Sequence, residues 1–102
     1  MKSLPEIQRQ LEAGKFEFTR HASKRTIERN ISDREIRETA SSLEIVEDYP
    51  DDKYSPSCLV LGFTNIQRAL HMQVSRMESD MVRIITIYEP DDTSWINFRT
   101  RR

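Results

Sequence analysis

The chain has 102 residues, the size of one ordinary domain and too short for two. Charged residues make up 32% and apolar residues 36%, a globular mix near the polar end, with no run approaching the ~20 apolar residues of a membrane span. The net charge of -1 counts against a free-standing nucleic-acid binder, and the single cysteine, Cys58, excludes an internal disulfide.

The first residues, Met1-Lys2-Ser3-Leu4-Pro5-Glu6, lack the apolar run of a signal peptide, so the cytoplasm is the expected location, with no membrane contact. Charge is unevenly spread. Basic residues crowd 15–29 and close the chain at Arg99, Arg101 and Arg102, while acidic residues crowd 44–52.

In chain order, Leu4, Ile7 and Leu11 recur at helical spacing. Pro5 suits the first turn and Gly14 the C-terminal cap, predicting a helix over 4–13. Residues 16–19 alternate like a short strand. Thr19 suits the N-cap of a helix over 20–29, which Asn30 ends. Ser32 and Glu35 form a capping box for a third helix over 33–41. Strands follow at 43–49 and 57–64, the latter apolar enough to be central, and 68–76 and 81–89 form a hairpin. Pro90-Asp91-Asp92 breaks the chain, and Trp95, Ile96 and Phe98 allow a last short strand or docked tail. The expected fold is one α+β domain over 1–102, with a helix within 1–14, helices packed on one face of a sheet, and a basic tail at 99–102.

On a wheel of the second helix, His21, Arg25, Glu28 and Arg29 share one face, with Ile27 roughly opposite. Guanidinium suits phosphate because it is always charged and presents a rigid fork of donors. Imidazole titrates near neutrality and can move a proton. Lys24 adds charge nearby. The plainer reading is a solvated face with an Arg25–Glu28 pair.

In the later hairpin, alternation sends Leu70, Met72 and Val74 to one face and His71 and Gln73 to the other. The partner strand then sends Ile85 and Ile87 to the apolar face and Ile84, Thr86 and Tyr88 to the opposite one. His71, Thr86 and Tyr88 therefore share a polar sheet face, as a site or as ordinary decoration. Tyr88 and Trp95 are aromatic groups on which a base can stack, although a lone Trp near a chain end is also a core plug.

Cys58 sits in the apolar run Cys58-Leu59-Val60-Leu61, which suits a buried thiol rather than a nucleophile. Asp51, Asp52, Asp91 and Asp92 follow prolines as turns, and no metal-ligand spacing is present. No metal or other cofactor is expected. With only Gly14 and Gly62, no glycine-rich phosphate loop is possible. The second and third helices have helix-turn-helix order, but Asp33, Glu35 and Glu38 would be repelled by phosphate.

Taken in order, several segments carry a family resemblance. They are Phe18-Thr19-Arg20-His21-Ala22, Arg25, Glu28-Arg29-Asn30-Ile31-Ser32 and Glu35-Ile36. Downstream come Ile45-Val46-Glu47-Asp48-Tyr49-Pro50, Ser57-Cys58-Leu59-Val60-Leu61-Gly62, Leu70-His71-Met72 and Ile85-Thr86-Ile87-Tyr88-Glu89-Pro90. The set resembles a small bacterial domain-of-unknown-function family encoded beside antitoxins with a YgiT-type zinc finger. The resemblance covers about residues 16–95. It implies a toxin-like protein of a type II toxin–antitoxin pair, with a RelE-like fold of the wider barnase–EndoU–colicin–RelE group. In that fold helices pack on a curved antiparallel sheet of about four to five strands. It implies metal-independent RNA cleavage and an antitoxin partner, and its motif carries over to His21, Arg25, His71, Thr86 and Tyr88. The mild acidity of this chain departs from the strongly basic ribosome-dependent toxins.

Two functions follow as expectations. In the first, an endoribonuclease, His21 and His71 exchange protons with the 2′-OH and the 5′-oxygen, and Arg25 stabilises the phosphorane. Thr86 and Tyr88 position the phosphate, and Lys24, Arg29, Trp95 and Arg99 contact RNA. This requires the helix face and the sheet face to meet at one cleft. In the second, the same fold is a non-catalytic module that holds a partner protein or RNA.

Overall fold

Three helices lie on one face of a five-stranded sheet in a computed structural model that describes all 102 residues. Helix α1 (Leu4–Glu12) is capped by Ser3 and ended by Gly14 at φ +75°. Helix α2 (Arg20–Glu28) is capped by Thr19 and ended by Asn30, also in the left-handed region. Helix α3 (Asp33–Glu38) begins with the Ser32–Glu35 capping box. The strands are β1 (Phe16–Phe18), β2 (Glu44–Tyr49), β3 (Ser57–Phe63), β4 (Ala69–Ser75) and β5 (Val82–Tyr88), in the order β1-β5-β4-β3-β2. The sheet is mixed, because β1 pairs with β5 in parallel while every other pairing in it is antiparallel. No helix is long and apolar enough to cross a membrane.

The helices bury Ile7, Leu11, Ala22 and Ile36 against Val60, Leu70, Met72, Val74, Ile84 and Ile87 of the sheet. Cys58 joins this core, and burial pushes its thiol up to about 11. Lys2 is buried too, its ammonium donating to Gln10 Oε1, Ser79 Oγ and the Met81 carbonyl at 2.8–3.0 Å. Nothing in the sequence pattern marks Lys2 as an internal group.

Two β-bulges decide which side chains reach the opposite, far face. In β5 the pairing slips between Gln73–Thr86 and Val74–Ile84, so Ile85 is the extra residue. Strict alternation predicts Ile85 in the core and Ile84 outside. The bulge reverses this: Ile84 is fully buried in the helix-side core and Ile85 borders the far face. Thr86 and Tyr88 keep their expected face, beside Gln73 and His71. In β2 the slip falls at Val46, so Glu44 and Glu47 face the same way although they are three apart.

Helix α2 is tied to β5 at both ends. Thr19 Oγ1 accepts from the Ala22 N–H and donates to the Ile85 carbonyl, which the bulge frees from the ladder. At the other end Arg68 donates to the carbonyls of Arg29 and Asn30 and to the carboxylates of Glu35 and Glu89. The helix therefore runs alongside the half of β5 that carries Thr86 and Tyr88.

The third helix is shorter than its pattern predicts. It stops at Glu38 and tightens into a 3-10 turn (Thr39–Ser42). The buried Thr39 hydroxyl donates to the Ile36 carbonyl at 2.6 Å, and Thr39 lies directly against the backbone of Gly62. A Cβ at Gly62 would stand 2.5 Å from Thr39 Cβ and 2.9 Å from its carbonyl oxygen. We expect Gly62→Ala to cost about 1–3 kcal/mol by overpacking, read as a lower urea midpoint. An unchanged midpoint would show that this contact yields freely.

Candidate functional site

Beyond Pro90 the chain crosses to the far face and folds into a small hairpin of β6 (Trp95–Ile96) and β7 (Thr100–Arg101). Its three-residue loop places Asn97 and Phe98 at φ +52° and +64°, and the Arg99 N–H closes the turn on the Ile96 carbonyl at 3.0 Å. Phe98 is an uncommon residue for that backbone. Its ring packs edge-on against Phe63 at 6.0 Å, which anchors the turn.

This hairpin seals His71, which is fully buried. Its Nε2 lies 2.6 Å from the Phe98 carbonyl oxygen and its Nδ1 lies 3.1 Å from the Tyr88 hydroxyl. A carbonyl only accepts, so Nε2 carries the proton. In the neutral ring Nδ1 then accepts from the Tyr88 O–H. Trp95 stands edge-to-face on the imidazole at 4.5 Å, and Tyr88 packs edge-on at 5.3 Å. Desolvation lowers the His71 pKa against the smaller pull of the Phe98 carbonyl and Glu47, and Arg101 lowers it further. Desolvation raises that of Tyr88.

Two ion pairs fasten the hairpin to β2. Arg99 binds both oxygens of Glu44 at 2.7 and 3.1 Å, and Arg101 binds both oxygens of Glu47 at 2.8 and 3.0 Å. Glu47 also accepts from the Tyr49 hydroxyl. Arg101 lies over the Trp95 ring at 4.6 Å. The Arg101 hydrogen bond holds the Glu47 carboxyl below the usual carboxylate range.

The predicted residues therefore fall into two groups. His71, Thr86, Tyr88 and Trp95 converge on the far face. Trp95 is buried as a plug rather than offered to a base, and the Arg99 guanidinium is engaged by Glu44. His21, Lys24, Arg25 and Arg29 lie on α2, and His21 makes no hydrogen bond or ring contact with His71. The cleft expected between the two histidines is not formed, because the hairpin closes over His71 while His21 stays in solvent. Arg25 and Lys24 pair with Glu28 at 3.2 and 3.8 Å, as on a solvated face, and the Arg29 side chain is exposed. No group of three or more His, Cys, Asp or Glu side chains is placed to hold a metal ion. The pattern missed Glu47 and Arg101, whose charges act on the same imidazole, and Tyr49, which donates to Glu47; only the opposite charges of 44–52 and the C-terminal tail hinted at them.

Among models of known protein families, the one described as "Domain of unknown function (DUF4258)" matches residues 18–89. The chain belongs to this family. No curated protein and no solved structure matches it. The DUF4258 match contains His21, Arg25, Arg29, His71, Thr86 and Tyr88, and it ends before the hairpin that covers His71.

The burial of His71 has a pH signature. Its folded-state pKa is lowered, so the unfolded chain takes up the proton first. The stability this neutral ring contributes is complete above about pH 6.5 and is lost as pH falls below that. The Glu47 contribution is lost only lower, as pH falls below the carboxylate range. The unfolding midpoint should decline between pH ~6.5 and ~5, and much less so in His71→Gln. NMR titration of the His71 ring reads the same shift directly. A ring that titrates at or above the ordinary histidine value would contradict a neutral, buried imidazole.

Proposed function

We propose that this DUF4258 domain is a toxin-like, metal-independent endoribonuclease of a type II toxin–antitoxin pair, with the far sheet face as its reacting surface. The observation that carries this reading is the imidazole–phenol pair, His71 Nδ1 and Tyr88 Oη at 3.1 Å. It replaces the pairing of His21 with His71, since Tyr88 already stands beside the ring. RNA cleavage by its own 2′-OH needs one group to take a proton and another to give one.

The reacting state is one in which the hairpin has moved off the face. With the Phe98 carbonyl gone, the ring adopts the Nδ1–H tautomer and donates to Tyr88. Nε2 is then free to accept the 2′-OH proton as the 2′-oxygen bonds to phosphorus. The phenolic proton passes to the departing 5′-oxygen, and Nδ1–H restores the phenol. Thr86, beside Tyr88 on the same face, holds a phosphate oxygen. His21, Arg25 and Arg29, with Lys24, flank that half of β5 from α2 and hold neighbouring phosphates. The hairpin's ion pairs lie at the surface, where water and salt screen them, so they hold the cover only weakly. The antitoxin partner rests on the family resemblance.

The second reading, a non-catalytic module that binds RNA or a partner protein, is favoured by one fact: both nitrogens of His71 are already satisfied. Single-stranded RNA incubated with the protein in EDTA separates the two. Under the nuclease reading, Glu44→Gln with Glu47→Gln loosens the cover and raises cleavage several-fold. Tyr88→Phe then lowers it by roughly 10²–10⁴-fold, the usual worth of a lost proton-transfer group. His21→Ala and Arg25→Ala should act mainly on KM. RNA left intact by both wild type and the loosened variant would sink the nuclease reading.

A further inference from the structure

The far face has an open part that the hairpin does not cover. It is a cleft of about 520 Å³, within the range of small-ligand pockets. Gln73 and Ser75 of β4 form its floor, Arg83 and Ile85 of β5 one wall, and Tyr54 of the β2–β3 loop its rim. The β5 bulge shapes that wall, since Ile85 is its extra residue.

Its side chains combine three kinds of recognition. The Tyr54 ring is 87% exposed, an unusual state for an aromatic with no partner of its own except Lys53, whose Nζ lies 5.6 Å from the ring centre. The Gln73 amide is oriented from behind: its Nε2 donates to Ser57 Oγ at 3.2 Å and to Asp52 Oδ2 at 3.4 Å, while no protein donor reaches its oxygen. The Arg83 guanidinium has only a 3.6 Å pair with Glu17 and is about half exposed. A flat stacking surface, a fixed amide edge and an available guanidinium suit a nucleobase and its phosphate. Neutral sugars would leave Arg83 unused, and Asp52 is occupied by Ser57, Gln73 and the Tyr54 N–H.

We propose that this cleft is a nucleotide-binding site. The base stacks on Tyr54, its edge meets the Gln73 amide oxygen, and its phosphate meets Arg83, with Lys53 adding charge at the rim. The assignment deepens the RNA reading above and rests on it for the polymer. Gln73 lies directly opposite Thr86 and about 7 Å along β4 from His71. A base held there sets the register of the strand on the His71–Tyr88 pair.

The test is binding, not cleavage. Short oligoribonucleotides with 2′-O-methyl riboses cannot be cut through the 2′-oxygen, so affinity is read without chemistry. Titration should perturb the NMR signals of Gln73, Ser75 and Arg83. Tyr54→Ala should weaken binding roughly tenfold, as loss of one stacked base does. Arg83→Ala should weaken it and reduce the salt slope by about one, and Arg83→Lys should restore the slope. Both side chains are exposed, so unchanged unfolding midpoints verify that the variants fold. Binding confined to α2, or inorganic pyrophosphate binding as tightly as the oligonucleotide with no loss in Tyr54→Ala, would overturn the nucleotide site while leaving the nuclease reading intact. Oligonucleotide held in the cleft by a protein that never cleaves RNA would support the site and defeat the nuclease instead.

Discussion

A histidine ring removed from water must have both nitrogens satisfied, and the far side of this molecule is arranged around that constraint. His71 meets it with the Tyr88 hydroxyl on one side and the Phe98 carbonyl on the other. The first bond is local to the sheet, because Tyr88 is the register partner of His71 on β5. The second reaches 27 residues along the chain and recruits the C-terminal hairpin. Once that carbonyl is in place, Trp95 must lie on the ring and Arg101 on Trp95. One buried polar group thus orders a segment that has little core of its own.

Bulges supply the rest of the arrangement. Glu44 and Glu47 can both receive arginines only because Val46 breaks the alternation of β2. Thr86 and Tyr88 stay beside His71, and Ile84 enters the core, because Ile85 is the extra residue of β5. The same bulge frees the Ile85 carbonyl that anchors Thr19, so it also places the start of α2. A single irregularity therefore links the position of the basic helix to the polar face beside it.

The two faces of the sheet rest on different physics. The helix side is an apolar core, closed and insensitive to pH or salt in the range where proteins work. The far side joins a smaller apolar patch of Leu59, Leu61 and Trp95 to hydrogen bonds and surface ion pairs, and it contains groups whose charge responds to solution conditions. No residue of the hairpin belongs to the helix-side core, so the two sides are held by separate sets of contacts.

Local chemistry was legible in the sequence. The caps at Thr19 and Ser32, the stops at Gly14 and Asn30, and the apolar faces of α1 and β3 depend on neighbours within a few residues. The shared face of His71, Thr86 and Tyr88 followed from alternation around a short turn. Everything that needed partners far along the chain was not legible. The parallel seat of β1, the stop of α3 under Gly62 and both bulges depend on how strands pair and pack. So do the burial of Lys2 and the placing of Glu47 and Arg101 beside His71. Sequence alone determined which residues could carry chemistry. Tertiary structure alone decided that His71 is sealed and His21 is not, because burial is set by what crosses over a side chain rather than by what precedes it.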